Sequence, residues 1–242
     1  FGIGAYTYSL LLNHGVNFWF CLLLAGIFSA FFGWLSAIAV RKLKGDYLAL
    51  VTLGFSFVVY AVLLNWVDLT NGPLGIAGIL RPNIFGLNTD NNAAYLILVF
   101  VIFLISYFFI YRITSSPFGK VVEAVRDDEL SAKSLGKSTF KIKWITLATS
   151  AFFAGIAGCL YASYITYIDP SSFTFAGIIP IILIIIIGGL GSLPGTLLAT
   201  IFIILLPEPL RFIGFSSSIV GPTRQIAYAV ILLVILYYRP RG

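Results

Sequence analysis

Charge is what this sequence has least of. Only 10% of its 242 residues are Asp, Glu, Lys or Arg, where a soluble domain carries roughly 25%. Apolar residues make up 60% and mean hydropathy is +1.02. A soluble fold of this size has no interior large enough to enclose that much apolar surface. A bilayer removes the difficulty by acting as the solvent, so the chain is better measured in membrane spans than in soluble domains.

Histidine and cysteine are almost as scarce. The one histidine, His14, lies outside the clearest apolar blocks, and those blocks contain no Asp, Glu, Lys or Arg either. A membrane protease or metalloenzyme needs acid–base groups or ligands at membrane depth, and a proton-coupled carrier needs an ionisable relay. Both classes are disfavoured. Cys21 and Cys159 stand inside apolar blocks, without CxxC spacing or histidine neighbours, so they read as buried thiols rather than metal ligands. Methionine is absent, and Phe1 opens within an apolar stretch; the chain is read as lacking an N-terminal part. The net charge of +6 sits in short basic clusters between apolar blocks. That is the positive-inside pattern of a membrane protein, not a nucleic-acid patch.

What is there is a series of apolar blocks of about 20 residues, the length that crosses a bilayer. Phe1–Leu12 reads as the tail of a span. Phe18–Val40, Tyr47–Val67, Ala94–Tyr111 and Trp144–Ile168 read as complete spans. Phe175–Leu206 is too long for one simple span and is interrupted by Gly188-Gly189-Leu190-Gly191-Ser192-Leu193-Pro194-Gly195. Glycine and proline both break helices, so two short passes joined at the break are expected. Ile226–Tyr238 forms the last helix. With two passes at the break, Arg41/Lys42/Lys44, the polar segment 112–143 and Arg239/Arg241 all fall on one side, the cytoplasmic one. About seven spans and a cytoplasmic C-terminus result.

Three local patterns stand out. Leu69–Ala93 carries the Asn71-Gly72-Pro73 turn signal. Ala154, Gly158 and Ala162 form a row at i, i+4 spacing, with Ala151 and Gly155 beside it, and read as a site of close helix packing. The polar segment reads as two short helices. Pro117–Arg126 has Pro in its first turn and Phe118, Val121, Val122 and Val125 on one face; Asp127–Gly136 is started by acids and stopped by glycine. Such a pair suits docking into a partner's groove. Leu135-Gly136-Lys137-Ser138-Thr139 resembles the end of a phosphate-binding loop. However, Ser131 occupies the position of that loop's first glycine and no strand precedes it, so nucleotide binding by this chain is not expected.

The stretch Gly45-Asp46-Tyr47-Leu48-Ala49-Leu50-Val51-Thr52-Leu53-Gly54-Phe55 resembles the signature of the LivM-type permeases of branched-chain and neutral amino acid ABC transporters. Five further features follow in that family's order: the Leu69–Ile76 turn, the Pro117–Gly136 segment, the Ala154–Gly158 row, the Gly188–Gly195 break and the closing Tyr238-Arg239-Pro240-Arg241-Gly242. Phe1–Tyr6 resembles a motif that the family carries in mid-span.

The resemblance implies an all-α polytopic bundle, a single permease domain over 1–242, with a broken or re-entrant helical segment and a coupling segment at 112–143. It implies a bacterial inner-membrane protein that works by alternating access and does no covalent chemistry. The implied partners are a second homologous permease, two cytoplasmic ATPases that bind the ATP and Mg, and a periplasmic solute-binding protein. This chain itself would hold no cofactor or metal. Coupling to the ATPase is assigned by resemblance to Phe118, Glu123, Arg126, Asp127, Glu129, Leu135 and Gly136. Thr52, Gly54 and Asn65, with the breaks at Gly72, Pro73, Gly188, Gly189 and Gly191, are candidates for the solute pathway. Urea or short-chain amides, which related permeases carry, are the alternative solutes. A stand-alone carrier or channel is the alternative mechanism.

Overall fold

The computed structural model describes residues 1–40, 43, 46–82, 91–174, 177–189, 191–205 and 230. The basic cluster Arg41/Lys42/Lys44, the last helix over Ile226–Tyr238 and the Arg239/Arg241 pair lie outside these residues. The chain forms two compact units, Phe1–Phe173 and Thr174–Gly242.

The first unit is built from α1 (Gly2–Asn13), α2 (Phe18–Ala39), α3 (Asp46–Asn65), α4 (Val67–Thr70), α5 (Asn92–Thr114), α6 (Pro117–Asp127), α7 (Glu129–Ser134) and α8 (Thr139–Ile165). In the second, α9 (Ile178–Gly188) and α10 (Leu193–Leu205) are described. Among the described residues, Phe18–Ala39, Tyr47–Asn65, Asn92–Thr114 and Thr139–Ile165 are long and apolar enough to cross a membrane. The fold is therefore that of an all-α polytopic membrane protein.

Apolar burial does not drive helices together in lipid, so close packing has to come from small residues that let backbones touch. The row read from the sequence performs that task. A Cβ at Gly4 of α1 would lie 2.5 Å from the Gly155 Cα, and one at Gly155 would lie 2.6 Å from the Ala25 carbonyl oxygen of α2. Helices α1 and α2 thus clasp α8 at backbone contact. Cys21, Ala25, Cys159 and Ala162 are fully buried among these helices, and both thiols are free. Tyr95 of α5 joins this core by donating to the Leu160 carbonyl at 2.6 Å and meeting the Ser163 hydroxyl at 2.7 Å.

Several boundaries differ from the sequence reading. Helix α3 stops at Asn65 instead of running to Val67, because the backbone at Trp66 leaves the helical region and Val67–Thr70 begins a new turn. Helix α8 starts at Thr139, five residues before Trp144. Ile142 is buried while Lys141 stays exposed, so this polar opening turn is amphipathic and continues the helix. It ends at Ile165, where Thr166 takes φ 62°, rather than at Asp169-Pro170. Helix α5 runs on to Thr114 and takes in Arg112.

A pair of two-residue strands was not expected. β1 (Ile76–Ala77) pairs antiparallel with β2 (Tyr167–Ile168), in the register Ile76↔Ile168 and Ala77↔Tyr167. Further bonds add to it: Ile79 N–H donates to the Thr166 carbonyl, and the Tyr8 hydroxyl to the Leu80 carbonyl. The long α3–α5 connection is therefore fastened to the end of α8 and to α1.

Candidate functional site

The polar segment between α5 and α8 folds as two short helices, α6 and α7. The Ser116 hydroxyl accepts from the Gly119 N–H, Pro117 occupies the first helical position, and α6 begins. Gly119 is required there, since a Cβ would fall 2.0 Å from the Thr114 carbonyl oxygen. Asp128 ends α6 and starts α7, its carboxylate accepting from the N–H groups of Leu130 (2.8 Å) and Ser131 (3.1 Å). The Ser131 hydroxyl and these amides hold the Asp128 carboxyl below its usual range. Gly136, at φ 75°, closes the segment.

Val125, Ala132 and Ile142 form a small core of their own, flanked by Val121 and Val122, which seats both short helices on the start of α8. A salt bridge from Lys143 to Glu129 at 2.7 Å adds a latch. Glu129 is thus engaged within the chain. Phe118 is half-buried, and Glu123 is exposed. Arg126 pairs with its neighbour Asp127 at 2.9 Å, which raises the guanidinium pKa through that hydrogen bond and its charge. Leu135 is 80% exposed, and so is Leu130 at 66%, a residue the sequence reading left out of the site. No pattern rule marks one leucine of a six-residue helix as the outward one; only the fold of α7 on α8 does.

The pathway candidates fall in both units. Thr52 bonds to the Leu48 and Ala49 carbonyls of its own helix, and Asn65 to that of Ala61. The Thr52 hydroxyl and the Asn65 Nδ2 are thus turned to the backbone of α3. Gly54 faces open space. Gly72 is buried at φ 52° beside the Leu64 carbonyl and opens a turn of 3₁₀ helix, Gly72–Leu74, in which Pro73 and Leu74 are exposed. Within the second unit, the glycine break makes a hairpin. A Cβ at Gly188 would lie 2.5 Å from the Thr196 Cα, while Gly189 and Gly191 take φ 86° and 90°. Helices α9 and α10, at about 16 and 20 Å, are each shorter than the roughly 30 Å hydrocarbon core.

No group of three or more His, Cys, Asp or Glu side chains suited to a metal occurs among the described residues. Residues 1–238 match the family described as "Branched-chain amino acid transport system / permease component". The chain belongs to that family.

This permease chain is 36% identical to the high-affinity branched-chain amino acid transport system permease proteins LivM of Salmonella typhimurium and Escherichia coli. In each case all of the chain is covered and 61% of the relative. A probable branched-chain amino acid transport permease LivM of Methanocaldococcus jannaschii is 28% identical over 91% of the chain and 66% of that protein. The chain thus spans about three fifths of the length of the two bacterial relatives. No solved structure matches it.

Proposed function

We propose that this chain is the translocating core of one permease subunit in an ATP-binding-cassette importer for branched-chain or other neutral amino acids. The family match over 1–238 carries the reading. The whole chain acts as one permease domain with 112–143 as its coupling segment. In this scheme α6 and α7 enter a cleft of a cytoplasmic ATPase, with Leu130 and Leu135 as apolar anchors and Glu123, Arg126 and Asp127 at the polar rim. The rigid seat on α8 passes ATPase closure to the helix that α1 and α2 clasp, and the permease pair alternates its access by rigid-body motion. A second permease, two ATPases binding ATP and Mg, and a periplasmic solute-binding protein complete the assembly. The bilayer is the inner membrane, with the C-terminus cytoplasmic.

The exposure of two leucines on a segment latched this firmly supports the docking role. Apolar side chains turned outward on an ordered projection are what an anchor in a partner's groove requires. The test is reconstitution with the neighbouring subunits, comparing the parent protein with Glu123→Lys plus Arg126→Glu. Labelled leucine uptake and ATP hydrolysis are read together. Uptake that requires ATP and is lost in the double variant, with ATP hydrolysis retained and the protein still inserted, is the expected result. Solute movement that proceeds equally well without any ATPase overturns the reading.

A further inference from the structure

Helices α2 and α8 cross antiparallel at backbone contact. A Cβ at Gly33 would lie 2.5 Å from the Ala151 Cβ, one at Gly26 2.6 Å from the Phe152 ring, and one at Gly155 2.6 Å from the Ala25 carbonyl oxygen. Positions rising along α2 thus meet positions falling along α8. One turn on from Ala25 and Gly155 in that register, Cys21 meets Cys159. These are the chain's two cysteines, and they come to one level of one crossing from distant parts of the sequence. Both side chains are fully buried in a single apolar cluster with Ala5, Tyr8, Ala25 and Ala162. Their sulfur atoms are near enough to act on each other electrostatically.

The pair lies near one end of both helices. Cys21 is about 5 Å from the start of α2 at Phe18, and Cys159 about 9 Å from the end of α8 at Ile165. The Cys21 thiol donates to the Val16 carbonyl, in the connection that precedes α2, at 3.4 Å. Helices α6 and α7 adjoin the opposite end of α8, and Arg41/Lys42/Lys44 follow the opposite end of α2. In the orientation proposed above, on which this inference rests, the thiols therefore stand within two turns of the non-cytoplasmic face. That side lies outside the reducing cytosol.

We propose that Cys21 and Cys159 form a redox modification site, at which oxidation from the non-cytoplasmic side makes a disulfide that staples α2 to α8. The structure holds the reduced form, with both thiols free. A disulfide needs Cα atoms roughly 4.4–6.8 Å apart, a span that helices reach only at backbone contact. The oxidant is a donor that carries an exchangeable disulfide. The donor's S–S bond and the two S–H bonds break, and one S–S bond forms between Cys21 and Cys159. The two protons and the electron pair leave with the donor as two thiols. The exchange takes place while α2 and α8 come together, since the closed crossing covers both sulfurs. The same burial then shields the finished bond from reductants. The staple adds a covalent link where lipid supplies no apolar drive for helices to associate.

The test uses the full-length protein in its own membrane, with its partner subunits. Cells are grown with and without bis(2-hydroxyethyl) disulfide, quenched in acid and alkylated in denaturant. Peptides carrying Cys21 and Cys159 are then mapped by mass spectrometry. With the oxidant, the expected result is a cross-linked peptide pair and about a ten-fold loss of alkylation at both positions. The unfolding midpoint in detergent should rise with it by about 5–10 °C. Cys159→Ala should show neither the pair nor the rise. Full alkylation of both cysteines under oxidant overturns the proposal, and so does a separate adduct of the reagent on each. A cross-link without any rise overturns the stapling role. Failure of ATP-coupled uptake by the parent protein strikes the transport reading instead and leaves the thiol map intact, so the two failures are distinguishable.

Discussion

Single residues decide two features of this chain. At Gly188 any side chain meets the backbone of Thr196, so Gly188→Val is expected to open the α9–α10 hairpin. The cost is of the overpacking size, about 1–3 kcal/mol, and is read as a lower unfolding midpoint in detergent. Asp128 caps α7, and Asp128→Ala is expected to speed amide exchange at Leu130 and Ser131 by about ten-fold. The same cap has a pH sign. Because the folded carboxyl titrates below its usual value near 3.9, its contribution is complete above that value and disappears as pH falls through the lowered one. Exchange protection of α7 should therefore be level from about pH 7 to 5 and fall below about pH 4.

At the scale of elements, the long apolar helices were legible because a span needs little more than uncharged length. The break at Gly188–Gly195 was legible because glycine and proline leave few alternatives. Boundaries were less so. Polar residues such as Lys141 extend a helix when one face of the turn is buried, and hydropathy registers only their charge. The β1–β2 pair was invisible, since two-residue strands have no period to detect. The seating of the polar segment was half legible: the Phe118/Val121/Val122/Val125 face could be read, but the Glu129–Lys143 bridge joins residues 14 apart through the fold. In that bridge each side chain is 26% exposed. A double-mutant cycle with Glu129→Gln and Lys143→Gln should give a coupling of no more than about 1 kcal/mol, read from exchange protection of α7.

For the whole molecule, the proposed orientation predicts opposite accessibility at the two ends of α5. With Cys21 and Cys159 replaced by Ala, a cysteine at Leu135 should react with a membrane-impermeant thiol reagent only from the cytoplasmic side. One at Leu74 should react only from the other side; both positions are about 80% exposed. Labelling of both from one side would overturn the arrangement of spans. The substrate and the partner set were legible only through resemblance, because composition reports the solvent a chain lives in and not the solute it carries.

The fastening at β2 also sets a timetable. The Tyr167 hydroxyl bonds the Leu74 carbonyl, and these partners are 93 residues apart. At a synthesis rate of about 5–20 residues per second, the α3–α5 connection waits about 5–20 seconds for the strand that holds it. Helices α1 and α2 wait similarly for α8, the helix whose small-residue face they clasp. Until α8 is made, α1 and α2 have each other to pack on but not the small-residue face between them. A defect introduced into α8 should therefore appear first as degradation of the newly made protein during biogenesis, before any fault in transport can be measured.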